Sequence, residues 1–279
     1  MSQDNRWSIQ ELVARYELEP ELADLFVEGT FDKEVLTQSC ASDRIRPTFY
    51  EIDAVDVPSS VLAKHGLSHG NKQRVIALSK ELSCLAETAR VICLVDKDLD
   101  HWFAPLTNTQ RLRWTSFCSL ECHFLTAETI RDIAVTTGRA KIKRFEKFTE
   151  SLLATIRRLY ALRLADRELG LNLKWVALRK YLQRVDDAVI FDAAKYTTAL
   201  LNSNAKSKVK GAFESATAKW INKLTCDIRL SARGHDYTSL LAWTISEFGG
   251  EKELANEVAV ERLFVLLARS VGTISTEVQ

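Results

Sequence analysis

Several features that would assign this chain to a common class are missing from its sequence. It has only four prolines and ten glycines in 279 residues, and neither an internal repeat nor a low-complexity tract is present. Because 46% of the residues are hydrophobic, a folded protein with a buried core is expected. No uncharged apolar run approaches the roughly 18 residues of a membrane helix, and the N-terminus lacks a signal-peptide apolar region. We therefore expect a cytoplasmic protein that does not contact a membrane.

A nucleotide-binding phosphate loop is also missing. The pattern Gly-x-x-x-x-Gly-Lys-Ser/Thr occurs nowhere in the chain, so this protein is not expected to be an ATP-driven machine by itself. Any ATPase activity coupled to its function has to come from a partner.

The cysteines do not indicate a disulfide framework. There are six of them, and in a chain without export signals reduced thiols are expected. Cys118, Cys122 and His123 raise the alternative of a zinc site, but no second ligand pair with suitable spacing follows. We favour buried thiols beside a strand.

Charge is distributed unevenly, although the net charge is only +1. Residues 1–60 carry 13 acids and 5 bases, whereas residues 139–184 carry 13 bases and 4 acids. This separation predicts an acidic, metal-binding half and a basic half that faces a polyanion. The basic candidates are Lys141, Lys143, Arg144, Lys147, Arg157, Arg158, Arg163, Arg167, Lys174, Arg179, Lys180 and Arg184.

Two short apolar runs end in acidic residues. Residues 91–95 are apolar and are followed by Asp96, Asp98 and Asp100, while residues 25–27 are followed by Glu28. Such runs are typical of strands buried on both faces of a parallel sheet. Because ligands of open α/β sheets bind at the carboxyl ends of the strands, these acids are expected to meet at one edge.

Carboxylates gathered at one edge repel one another unless a cation lies between them, and hard oxygen ligands suit Mg²⁺ or Mn²⁺. We predict Asp96 and Asp98 as metal ligands and Glu28 as a ligand or general base. These three are the predicted catalytic residues. Asp32, one helical turn after Glu28, is a second-site metal candidate. Asp100 and Glu121, which follows a fourth predicted strand, complete the candidate metal set.

The pattern of apolar residues predicts two domains. Strands are expected near 22–27, 47–57, 91–95 and 112–117, with helices over 8–16, 32–40, 71–89 and 124–133 and a long loop around 59–70. Ser8 and Glu11 form a candidate capping box for the first helix. From about residue 138 only helical spacing remains, including a helix over 175–185. The predicted fold is an α/β parallel-sheet domain over residues 1–136, followed by an all-α helical domain over residues 137–279.

Five short motifs, in a fixed order, resemble a known family. They are Arg15-Tyr16-Glu17-Leu18-Glu19-Pro20-Glu21-Leu22, Val27-Glu28-Gly29, Leu94-Val95-Asp96-Lys97-Asp98, Ser119-Leu120-Glu121 and Gly234-His235-Asp236. Their layout resembles the TOPRIM fold of topoisomerases, primases and OLD-type nucleases, and most closely the AriB-like nuclease effectors of the PARIS phage-defence system. The resemblance covers most of the chain, and the order of the motifs gives it specificity.

The resemblance implies a Mg²⁺-dependent (or Mn²⁺-dependent) endonuclease that acts as the toxic effector of an antiviral abortive-infection system and cleaves host tRNA. It also implies an ABC-type ATPase subunit (AriA-like) that holds the effector until a phage-encoded trigger releases it, and a homodimer when active. From the residues alone, the substrate is only a polyanion.

Some of these residues also allow a second interpretation. The same fold could serve as a non-catalytic regulatory module bound to an ATPase, although the acids at 28, 96 and 98 are all present. Lys72 is interpreted mainly as a surface lysine, with phosphate contact from a helix N-terminus as the alternative. For Gly234-His235-Asp236, a helix-capping role is favoured over proton transfer.

Overall fold

The computed structural model describes residues 6–41 and 47–278 of the chain. Two compact units are present: the described part of Met1–Leu120 together with Phe264–Gln279, and Glu121–Leu263. The expected domains met at residue 136 instead. The spacing of apolar residues identifies helices but not the unit in which they pack. The end of the chain belongs to the first unit, where the Phe264 ring lies 6.3 Å from the Phe31 ring. No helix of the described residues is long and apolar enough to cross a membrane.

The first unit is built on a parallel sheet, as predicted. Its strands are β1 (Trp7–Ser8), β2 (Asp24–Val27), β3 (Thr48–Glu51), β4 (Val55–Asp56), β5 (Ile92–Val95) and β6 (Leu112–Trp114). The central sheet has the order β3-β2-β5-β6, and β1 pairs separately with β4. In this sheet Leu25 is opposite Ile92, and Cys93 is opposite Leu112. Both runs that end in acids are therefore adjacent central strands.

Helices cover this sheet and bury its apolar side chains. They are α1 (Ile9–Leu18), α2 (Thr30–Ser39), α3 (Ser59–Lys64) and α4 (Asn71–Glu81). The predicted capping box is confirmed, because Ser8 Oγ accepts from the Glu11 N–H and Glu11 Oε2 accepts from the Ser8 N–H. Leu12, Phe26 and Leu78 are fully buried in the core between helices and sheet.

Predicted boundaries in this unit were wrong in several places, and the strand predicted over 47–57 is divided into β3 and β4 by a 3₁₀ turn. The segment expected to be a loop over 59–70 contains α3, whose Leu62 is buried in the core. The helix expected over 71–89 ends as α4 at Glu81 and continues only as a 3₁₀ turn, Leu82–Cys84. The buried Arg111 guanidinium, just before β6, donates to the carbonyls of Ala86 and Ala89. These carbonyls therefore accept from a side chain and not from the N–H groups of a continuing helix.

The second unit is mainly helical. Its elements are α5 (Ala127–Arg131), a π-helix over Asp132–Thr137, α6 (Phe145–Glu168), β7 (Leu182–Val185), β8 (Ala188–Phe191), α7 (Ala193–Ser203), α8 (Lys210–Lys223), α9 (Gly234–Glu247) and most of α10 (Glu257–Leu267). Two short elements follow in the first unit, a 3₁₀ turn over Ala268–Ser270 and α11 (Gly272–Ser275). The predicted helices after residue 138 are confirmed in most positions.

The all-α expectation for this part was wrong in one segment. Residues 175–185, predicted to be helical, form a 3₁₀ turn and then β7, which pairs antiparallel with β8. The turn between the strands places Asp186 at φ 53°, in the left-handed region that Asp tolerates better than most residues. The Asp187 carboxylate accepts from the N–H groups of Lys143 and Arg144. The β7–β8 hairpin is therefore stabilised by hydrogen bonds to residues more than 40 positions earlier in the chain.

Candidate metal centre

Glu28 and Asp96 meet at the carboxyl edge of the sheet, as their strands predict. β2 and β5 are neighbouring parallel strands, so the residues that follow Val27 and Val95 leave the sheet side by side. Glu28 Oε1 accepts a hydrogen bond from the backbone N–H of Asp96, with a nitrogen–oxygen distance of 3.1 Å. The Asn71 side chain donates to the Glu28 carbonyl at 2.9 Å and ties the start of α4 to the same edge.

The three alternating acids do not continue the strand. β5 ends at Val95, and Asp98 takes a left-handed conformation with φ 45°, so the acids lie on a turn and not along one face of a strand. The turn is held by two backbone hydrogen bonds, from the Asp98 N–H to the Cys118 carbonyl and from the Asp100 N–H to the Lys97 carbonyl, each 2.8 Å. A non-glycine residue in this region costs conformational energy, which neighbouring structure has to offset.

Lys72 joins the acids across the crevice. Its Nζ lies 2.9 Å from Asp98 Oδ2 and 2.6 Å from Asp100 Oδ2, and its side chain is only 14% exposed. The ammonium is also 5.4 Å from the centre of the Trp114 ring. The interpretation of Lys72 as mainly a surface lysine was therefore wrong. The available signal was its position in the first turn of the helix that leads back to the acidic strand.

The acidic surroundings shift the pKa of Glu28. Burial raises the pKa of Glu28 from 4.5 to about 7; the charges of Asp98 and Asp100 act in the same direction, whereas the Asp96 N–H and Lys72 oppose them. Burial acts to lower the pKa of Lys72, but attraction and hydrogen bonding to Asp98 and Asp100 leave it above the usual value. Glu28 can therefore exchange a proton near neutral pH, while Lys72 stays charged.

Asp32 has a local role in the structure. Its Oδ2 accepts from the Gly29 N–H at 3.2 Å and so caps the N-terminus of α2. Glu51, at the carboxyl end of β3, is an acid at this edge that the sequence reasoning missed. It accepts from Thr30 Oγ1 at 2.9 Å and pairs with Lys33 Nζ at 3.3 Å. In the sequence it lies inside the strand predicted over 47–57, whereas β3 ends at Glu51.

Glu121 is the first residue of the second unit and lies in a 3₁₀ helix, Leu120–Phe124. Its carboxylate lies against Gly234, the first residue of α9, where any Cβ would overlap it. Within the same unit, burial raises the pKa of Glu261, and the charge of Glu121 contributes to that shift. Glu121 thus packs at a helix N-terminus, which favours an anion.

The Gly234-His235-Asp236 motif has a structural role in this unit. Asp236 lies in the first turn of α9 and accepts two hydrogen bonds from Arg163, each 2.6 Å, while both side chains are 13% exposed. The Arg163 guanidinium also lies 4.1 Å from the centre of the Trp175 ring. His235 is exposed. Arg163, predicted to contact phosphate, is instead committed to this buried pair.

Two more of the predicted phosphate-binding residues make contacts inside the unit. Arg184 donates to the carbonyls of Lys141, Asp186 and Glu247, and Arg144 pairs with Asp186 and Asp187. Among the remaining candidates, exposed side chains include Lys141, Lys143, Arg158, Lys174, Arg179 and Lys180. The second unit therefore has fewer basic side chains available for phosphate contact than the sequence predicts.

The donor chemistry of the sheet edge suits a hard divalent cation. Glu28, Asp96, Asp98 and Asp100 offer only carboxylate oxygens, the ligands that Mg²⁺ and Mn²⁺ prefer. Over residues 6–41 and 47–278, no three His, Cys, Asp or Glu side chains are gathered as a formed metal site. At the sheet edge, two of the candidate carboxylates, Asp98 and Asp100, contact the Lys72 ammonium. Cys118, Cys122 and His123, the alternative zinc ligands, form no such metal site either.

Comparison of the chain with protein-family models gives no match, and comparison with curated proteins gives none either.

Proposed function

We propose that this chain is a metal-dependent nuclease with a TOPRIM-like catalytic domain. The observation that carries the proposal is the meeting of Glu28 and the Asp96–Asp100 turn at the carboxyl edge of two adjacent parallel strands. Phosphodiester cleavage requires charge stabilisation on the attacking and leaving oxygens, and a Mg²⁺ ion bound to such carboxylates supplies it. Asp96, Asp98 and Asp100 are the ligands in this proposal, with Glu28 and Asp32 as further candidates.

Glu28 is suited to a second role in the reaction. A carboxyl group whose pKa lies at about 7 is divided between its protonated and ionised forms near neutral pH. In its ionised form it can accept a proton from an attacking water, and the Asp96 N–H fixes the orientation of its Oε1. We assign Glu28 as the general base or a metal ligand.

The biological role follows from the family resemblance. We propose a toxic effector of an anti-phage system that cleaves host tRNA, with an ABC-type ATPase as the partner that restrains it and a homodimer as the active form. The exposed basic side chains of the second unit, such as Arg179 and Lys180, support contact with a polyanion.

A non-catalytic interaction module is the second candidate, and one observation favours it. The Lys72 ammonium already neutralises part of the acidic cluster through Asp98 and Asp100, so these acids have a structural use without chemistry. In this alternative the acids stabilise the fold that binds the ATPase.

The test is cleavage of tRNA, other RNA and single-stranded DNA by the purified chain with Mg²⁺ or Mn²⁺. Wild type is compared with Glu28→Gln and Asp98→Asn, and with Asp56→Asn, an exposed acid on β4, as the matched control. We expect cleavage by wild type and the control only. Cleavage by all four proteins at one rate contradicts the catalytic assignment, and ATPase binding without cleavage by any of them favours the interaction module.

A further inference from the structure

The Lys72 ammonium lies where two carboxylates of the acidic turn converge. It contacts Asp98 Oδ2 at 2.9 Å and Asp100 Oδ2 at 2.6 Å, and these acids are 44% and 25% exposed while Lys72 is 14% exposed. Its position is set by the first turn of α4, whose Asn71 is hydrogen-bonded to the Glu28 carbonyl. A single positive charge is thus placed between the carboxylates of Asp98 and Asp100.

A divalent cation and this ammonium compete for the same oxygens. Mg²⁺ binds carboxylate oxygens at about 2.0–2.1 Å in a strict octahedral arrangement, and its double positive charge repels an ammonium that contacts the same carboxylates. Lysine is suited to moving away, because its charge is carried on a flexible four-carbon stem and is readily hydrated. Arginine in the same place would hold a fixed planar geometry.

We propose that Lys72 is a displaceable internal counter-ion of the acidic site: it neutralises Asp98 and Asp100 before a divalent cation binds and leaves them when one does. This inference rests on the proposed function, because it assumes that the acids bind a metal. In addition, it assigns a side chain of the protein itself as a competitor of the metal ion. Lys72 therefore stabilises the metal-free protein and weakens metal binding.

Lys97 provides a matched control. It lies within the acidic turn between Asp96 and Asp98, but its Nζ donates to the Ser116 carbonyl at 2.7 Å. Substitution of either lysine by methionine removes one positive charge from the neighbourhood of the acids. Only Lys72→Met removes the charge that occupies the carboxylate oxygens.

The experiment is calorimetric titration of the full chain with Mn²⁺, for wild type, Lys72→Met and Lys97→Met. We expect Lys72→Met to bind Mn²⁺ at least about tenfold more tightly than wild type, or about 1.4 kcal/mol. For Lys97→Met we expect a change below about threefold, because only a longer-range charge is lost.

The outcomes separate this inference from the proposed function. Wild type that binds Mn²⁺, with Lys72→Met binding equally or more weakly, overturns the counter-ion role and leaves the metal-dependent nuclease standing. Equal tightening in both lysine variants also overturns it. Absence of Mn²⁺ binding in all three proteins overturns both proposals, whereas binding by Lys72→Met alone supports the inference strongly.

A second measurement uses only the wild-type protein and covers the case in which Lys72→Met does not fold. Amine-labelling rates are measured by mass spectrometry with and without Mn²⁺. We expect Lys72 to be protected without metal and to react several-fold faster with it, while Lys97 labels at an unchanged rate. An unchanged Lys72 rate at a Mn²⁺ concentration that saturates the site overturns the proposal.

Discussion

Glu28 accepts a hydrogen bond from the backbone of Asp96 across the boundary between two parallel strands, at 3.1 Å. The two residues are 68 positions apart in the sequence. Their contact joins the Glu28 carboxylate to the acidic turn, and burial together with the charges of Asp98 and Asp100 raises the pKa of Glu28.

The first prediction concerns pH and stability in metal-free buffer. Because the folded-state pKa of Glu28 is raised from 4.5 to about 7, its stabilising contribution is fully present below 4.5 and is lost as the pH rises through 7. Glu28→Gln removes this loss. Relative to wild type, the variant should gain about 2–3 kcal/mol of unfolding free energy between pH 4.5 and pH 8.

Urea unfolding at several pH values with a chelator present measures this difference. Glu150→Gln, an exposed acid on α6, serves as the control and should follow wild type at each pH. A constant difference between Glu28→Gln and wild type would show that Glu28 titrates near its ordinary pKa in the folded protein.

The second prediction concerns the buried ion pair of the second unit. Asp236→Asn removes the carboxylate that is hydrogen-bonded to the largely buried Arg163 guanidinium, and should lower the unfolding free energy by about 3 kcal/mol. Asp227→Asn alters the more exposed pair with Arg229 and should cost less than about 1 kcal/mol. Chemical denaturation of both variants gives the comparison. Equal, small losses would show that Asp236 is not structurally required.

The third prediction uses the close approach of Gly234 to Glu121. A Cβ at position 234 would overlap the Glu121 carboxylate, so Gly234→Ala should destabilise the protein by about 1–3 kcal/mol. Gly211→Ala is the matched control, because it lies within α8 with open space around its Cα. It should stabilise the helix by about 0.5–1 kcal/mol.

Double substitution tests the cause of that loss. If the carboxylate is the obstacle, Glu121→Ala should reduce the cost of Gly234→Ala, and the double-mutant cycle should show coupling. Additive effects in thermal or chemical denaturation would assign the cost of Gly234→Ala to some other contact.

The fourth prediction concerns the exposed bases of the second unit. Replacement of Arg179 and Lys180 together by glutamine should weaken RNA binding and reduce the salt slope, log K against log [salt], by about one to two. Mn²⁺ affinity should stay unchanged. Fluorescence anisotropy at several salt concentrations measures both the affinity and the slope.

Lys206 and Lys208, which are also exposed, provide a control with the same change in net charge. Equal effects of the two double variants would indicate a general charge effect and not a binding surface at Arg179 and Lys180. Intact RNA binding with lost dimerisation or lost ATPase association would assign the pair to protein contacts.

The sequence by itself determined the parallel sheet, the acids at its carboxyl edge and the helical nature of the second half. These features follow from local patterns: apolar runs that end in carboxylates, and helical spacing over many residues. The capping box of Ser8 and Glu11 was also readable, because both partners lie within one turn.

Only the tertiary structure decided which charges meet. Lys72, Arg163 and Arg184 all look like surface bases in sequence, but each one contacts at least one residue far away along the chain. The hairpin of β7 and β8 has the same explanation, since the turn at Asp187 is held by the backbone of residues 143 and 144. The spacing of apolar residues predicts which face of an element is buried. It does not predict which charged side chains of other elements contact that face, and the energy of a buried ion pair depends on those contacts.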